Sequence, residues 1–242
     1  MNTLRYLICL AVTHAALVAQ GVPWQGLRAG YAEVEISPGG AETPFGYGFR
    51  GEKTPPGNPG VHDPLRFRAL ALSDADNPRQ PVILASFDLC VIPNEMAEKW
   101  RVLIAERAGT SVERVILTAT HTHSGPYPEP GGSYLAEILE NVLGSVGRAT
   151  ANTYPVRASY QAAPLGLAYD RRVRTAEGIK MCWNPQISES LSPMPAVDPT
   201  CSVLILRQVN GPRQFVLWSH GTHPVVLGRT SPWISADFPG RA

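Results

Sequence analysis

Val115-Ile-Leu-Thr-Ala-Thr-His121-Thr-His123-Ser-Gly-Pro126 is the stretch on which the fold is decided: an apolar run rich in β-branched residues that empties into two histidines and a tight turn. It reads as a buried strand over 115–120. Alternation along an unbroken strand places His121 and His123 on the face of Val115, Leu117 and Ala119. Two imidazoles then stand side by side at a strand end, where loops commonly carry function. Neutral imidazole is the commonest protein ligand for zinc, and a catalytic zinc takes three protein ligands plus an open position. The pair is either part of such a site or two satisfied structural histidines; the Ser-Gly-Pro exit favours the site. Gly125 and Pro126 stand where a His-x-His-x-Asp-His metallo-hydrolase would place its Asp and next His, which excludes that signature.

Outward from this stretch, Leu65 to Leu72 alternates as a strand, Ser73 to Gln80 turns the chain, and Val82 to Phe87 is a continuous apolar run ending at Asp88. The two runs predict a hairpin. A helix opens near Pro93-Asn94, carries Met96, Trp100, Leu103 and Ile104 on one face, and stops at Gly109. Downstream, Ser133 is the expected N-cap of a second helix, with Leu135, Ile138, Leu139, Val142 and Val146 at the helical period. Val203–Val209 and Phe215–Trp218 flank Asn210-Gly211, a hairpin signal. Strands dominate and helices interleave, so the expected class is α/β with mixed β-sheets and flanking helices.

Composition narrows the function. The 242 residues are 44% hydrophobic, enough for a real core, and 21 Lys+Arg against 20 Asp+Glu leave a formal charge of +1. No basic field for a phosphate backbone results, so nucleic acid is excluded as a partner. The 22 glycines and 23 prolines argue against a helical bundle. Residues 1–19 have the layout of a secretory signal, with Arg5, an apolar run from Tyr6 to Val12 and small residues up to Ala19. That run is too short to span a bilayer, and a secreted or periplasmic location is expected, with residues 20–242 as the folded part. Of the remaining cysteines, Cys90 sits in an apolar run as a small hydrophobe, and Cys182 with Cys201 is the pair to test for a disulfide.

Three further places can carry chemistry. In Trp218-Ser-His220-Gly-Thr-His223-Pro224, strand parity puts His223 with Phe215, Leu217 and Ser219 and His220 on the opposite side. Tyr169-Asp-Arg171-Arg172-Val-Arg174 is a cationic knot whose planar guanidinium forks suit a carboxylate or an oxyanion, or simply stay solvated. Asp237 is either a turn carboxylate or a site residue.

Taken in order, Gly30-Tyr-Ala-Glu-Val-Glu-Ile-Ser-Pro38, Gly46-Tyr-Gly48, Gly60-Val-His-Asp-Pro-Leu-Arg-Phe-Arg-Ala69, Asp88, Thr120-His-Thr-His-Ser-Gly-Pro126, Asp170-Arg-Arg172, His223-Pro224 and Ser235-Ala-Asp-Phe-Pro-Gly240 resemble the N-terminal part of the neutral, non-lysosomal ceramidase family. The resemblance implies part of a four-layer αββα catalytic domain and a Zn2+-dependent amidohydrolase that cleaves the N-acyl bond of ceramide to sphingosine and fatty acid. It implies His121 and His223 as zinc ligands, with His123 and Arg171 assisting substrate binding and catalysis. It implies peripheral contact with membrane lipid. Asp170 stands where the family usually has Asn. A serine loop, a Glu and a Tyr that complete the family's site are not found up to Ala242, so an incomplete chain with weak metal binding is expected. The alternatives are a zinc esterase or amidase on another substrate, and a non-catalytic secreted domain.

Overall fold

The computed structural model describes residues 26–39, 60–181, 197–228 and 231–242. The expected signal segment, Gly46-Tyr-Gly48 and Cys182 lie outside them, as does any pairing of Cys182 with Cys201. Seven strands form one mixed sheet in the order β4-β3-β2-β1-β5-β8-β9. They are β1 (Leu27–Glu35), β2 (Arg66–Asp74), β3 (Val82–Phe87), β4 (Val115–Ala119), β5 (Tyr154–Pro164), β8 (Thr200–Gln208) and β9 (Gln214–Ser219). A separate hairpin pairs β6 (Arg172–Thr175) with β7 (Gly178–Met181). Neighbours are antiparallel except β3 and β4, which run parallel. Parallel neighbours need a crossover, and α1 (Asn94–Ala108) supplies it. Both predicted hairpins are present. β2 runs on to Asp74 because Leu27 of β1 pairs with it, so the turn begins later than the composition of residues 73–80 suggests.

α1 ends where Gly109 adopts φ 65°, its N–H reaching Glu106 O while Thr110 N–H reaches Ala105 O. Such a left-handed residue satisfies the last carbonyls of a helix and suits glycine. α2 (Ser133–Ala151) begins one residue earlier than expected, with Gly132 rather than Ser133 at the cap. The preceding Gly131, at φ 77°, completes the chain reversal, so Ser133 is already helical.

Both helices lie on one face of the sheet. Phe67, Ala69, Ile83, Ala85, Phe87 and Val115 from the strands meet Met96, Trp100 and Ile104 of α1 and Leu135, Ile138, Val142 and Val146 of α2. Phe87 is central, its ring tilted at 54° to that of Phe67 with centroids 4.7 Å apart and 5.5 Å edge-on to Trp100. Gly30 lets α2 approach β1: a Cβ there would lie 2.0 Å from Ala149 O. On the other face Ala29, Leu70, Val156 and Leu206 form a second cluster that includes no residue of either helix. Among the described residues, no helix is long and apolar enough to cross a membrane.

Candidate metal centre

The parallel strands β3 and β4 end side by side, which is where open α/β sheets bind ligands. Their pairing continues past the strand ends, as Thr120 N–H donates to Phe87 O at 2.9 Å and His121 N–H to Leu89 O at 3.0 Å. There His121 takes φ 67°, a region that non-glycine residues seldom enter. This corrects the strand-parity argument for His121 and His123. β4 stops at Ala119, and a left-handed residue, not alternation, aims the two rings. The parity assigned to His223 fails for the same reason, since β9 stops at Ser219.

His121 Nδ1 lies 2.6 Å from the carbonyl oxygen of Cys90. A carbonyl only accepts, so this nitrogen carries the proton and the Nε2 lone pair points elsewhere. Orienting a ligating imidazole through its other nitrogen is the usual arrangement at metal sites. His121 Nε2 is 3.3 Å from His123 Nε2. The third ring arrives from the loop after β9: His223 has its centroid 5.1 Å from that of His121 and 4.6 Å from that of His123, while the first two are 4.8 Å apart. All three are half-buried.

Cys90 adjoins them, its Sγ 3.8 Å from His121 Nδ1, and Cys90, His121 and His123 offer ligand atoms within 4.8 Å of one another. Burial pushes the Cys90 thiol up to about 11, and its contact is with the proton-bearing side of the His121 ring. Imidazole nitrogens suit zinc, whereas magnesium and calcium take oxygen; the three rings therefore fit the metal that the resemblance implies. Just upstream, Asp88 is fully buried, accepting Arg66 N–H at 2.8 Å and Arg68 Nη1 at 2.9 and 3.0 Å. Burial raises its carboxyl above the usual range, opposed by the Arg68 charge. This pair anchors the residues that present the Leu89 and Cys90 carbonyls.

Arg171 immediately precedes β6 and is half-buried, whereas Arg174 is exposed. Asp170 opens β6 by accepting Arg172 N–H at 2.8 Å. His220 stands apart from the three rings, with Nδ1 3.1 Å from Thr200 O. Asp237 is a turn carboxylate, accepting Phe238 N–H at 2.7 Å and Leu227 N–H at 3.1 Å. Sequence reasoning missed the part of Cys90, because its carbonyl matters only once β3 and β4 are known to be parallel neighbours.

A mixed sheet with two helices on one face and imidazoles gathered at the ends of its parallel strands defines an α/β protein with a candidate metal centre. No protein-family model matches the chain, and neither does any curated protein sequence. Among solved structures it is similar to a ceramidase complexed with C2, at 24% identity and a TM-score of 0.63 over 89% of this chain and 34% of that one. It is similar also to neutral ceramidase from Pseudomonas aeruginosa, at 22% identity and a TM-score of 0.61 over 89% of this chain and 35% of that one. The chain spans about a third of the length of these ceramidases, and the likeness is one of fold.

Proposed function

We propose that the chain is the metal-binding part of a ceramidase-like, zinc-dependent amidohydrolase acting on the N-acyl bond of ceramide to release sphingosine and fatty acid. The observation that carries this reading is the meeting of His121, His123 and His223, from two segments distant in sequence, at one end of a sheet that superposes on ceramidases. His121 and His223 would hold the ion, His121 through Nε2. Bound zinc supplies a Lewis acid and a water whose pKa falls to about 7. His123, 3.3 Å from His121 Nε2, would take or return the proton that amide hydrolysis moves to the leaving amine. The Arg171 fork would orient a substrate oxygen. The location proposed is secreted or periplasmic, where the enzyme would meet lipid at a membrane surface.

Zinc content and fatty-acid release from ceramide, beside a panel of other amides and esters, test this. Chelation and His121→Ala should each abolish metal-dependent turnover. Turnover that survives both would place the catalytic centre elsewhere. Turnover restricted to the other amides or esters would remove ceramide as the substrate.

A further inference from the structure

We infer that Thr122, acting through Ser235, is the positioning residue that holds His121 and His123 in register for the ion; the inference rests on the reading of those histidines given above. Thr122 lies between the two half-buried imidazoles yet is itself 0% exposed, turned into the protein. Its hydroxyl donates to Ser235 O at 2.7 Å and accepts Ser124 N–H at 3.3 Å. Ser235 N–H in turn donates to Ser124 O at 2.8 Å. The segment that carries the histidines is thus gripped at residues 122 and 124 by one residue more than a hundred positions away.

Ser235 is held firmly in its turn. Its hydroxyl donates to the buried Asp63 carboxylate and accepts Asp237 N–H at 2.9 Å. Its neighbour Ile234 is paired with the segment before Asp63, through His62 N–H to Ile234 O at 2.8 Å and Ile234 N–H to Gly60 O at 3.2 Å. His121 needs such a grip because its left-handed backbone is unfavourable for a residue with a Cβ and persists only where the surroundings over-determine it. The Leu89 and Cys90 carbonyls bind it from the strand side. Thr122 binds the same loop from the other, so loss of its hydroxyl frees the loop to relax away from φ 67° and to release Nδ1 from Cys90 O.

The test uses the full chain with Thr122→Val, which keeps the shape and removes the hydroxyl, and Thr122→Ser, which restores it. Long-range proton–nitrogen NMR of the metal-free chain reads the His121 tautomer. Wild type and Thr122→Ser should show the Nδ1-protonated form, and Thr122→Val a mixture. Zinc affinity, from competition with a chelator, should fall about 10–100-fold in Thr122→Val, the range typical of outer-shell partners, and return in Thr122→Ser. Ser235→Ala retains both backbone contacts of residue 235 with the histidine loop but cuts the hydroxyl that ties it to Asp63 and to Asp237 N–H; it should move both readouts the same way. An unchanged His121 tautomer in Thr122→Val and Ser235→Ala, or a Thr122→Ser that does not rescue, overturns the inference. A wild-type chain that binds no zinc overturns the zinc reading instead, and the tautomer still decides the role of Thr122.

Discussion

Replacing Gly30 by alanine separates the packing of this fold from the general behaviour of glycine. In an extended strand the change normally stabilises by about 0.4–1 kcal/mol, because the unfolded chain loses freedom. Here the new Cβ would sit 2.0 Å from Ala149 O and 2.7 Å from Asn152 O, both backbone atoms at the end of α2 that cannot swing aside. The helix and the sheet must part by about 1 Å in an interior packed as densely as a crystal. Overpacking of this kind costs about 1–3 kcal/mol. The clash exceeds the entropic gain, leaving a net loss of about 1 kcal/mol, or about 2–4 °C in Tm for a chain of this size. Gly144 is the control: it lies within α2, where a Cβ would meet only the flexible end of Arg148 at 3.5 Å. Gly144→Ala should stabilise by about 0.5–1 kcal/mol. Urea and thermal unfolding of both variants give the answer. A Gly30→Ala chain as stable as wild type would refute the close approach of α2 to β1.

Burial raises the Asp88 carboxyl above its ordinary value of 3.8, so the folded state holds that proton more tightly than the unfolded state. Its contribution to stability is fully present below about pH 3.8 and lost as pH rises through the raised value; the unfolding free energy of wild type minus that of Asp88→Asn should therefore fall from pH 3.5 to 7, and a rise would refute the dominance of burial. With its thiol at about 11 and its side chain buried, Cys90 in the metal-free native chain should be alkylated at pH 8 at least about 100-fold more slowly than in urea. Peptide mass spectrometry locates the label, and equal rates would contradict the burial. His223→Ala should weaken zinc binding while His220→Ala leaves it close to wild type, because only His223 joins the other two rings; the same chelator competition measures both, and equal losses would reject the selection of His223.

What the sequence by itself determined is local. Apolar periodicity found both helices, since Ile138, Val142 and Val146 had to share one face and are all buried. Alternation and turn residues found the β2–β3 and β8–β9 hairpins, whose partners are adjacent in the chain. Residue chemistry singled out His121 and His123 as candidate ligands, because few side chains offer a neutral nitrogen, and the resemblance to ceramidases added His223. Tertiary structure decided the rest. β1 and β5 occupy the middle of the sheet, yet their joining of the two hairpins depends on pairings such as Arg28 with Pro155, which no local pattern encodes. The aim of the histidines was likewise not a matter of strand parity. Three carbonyls, those of Leu89, Cys90 and Ser235, hold the loop after β4 in a conformation its own residues disfavour, and a backbone carbonyl has no signature in sequence until the fold has brought it within hydrogen-bonding distance.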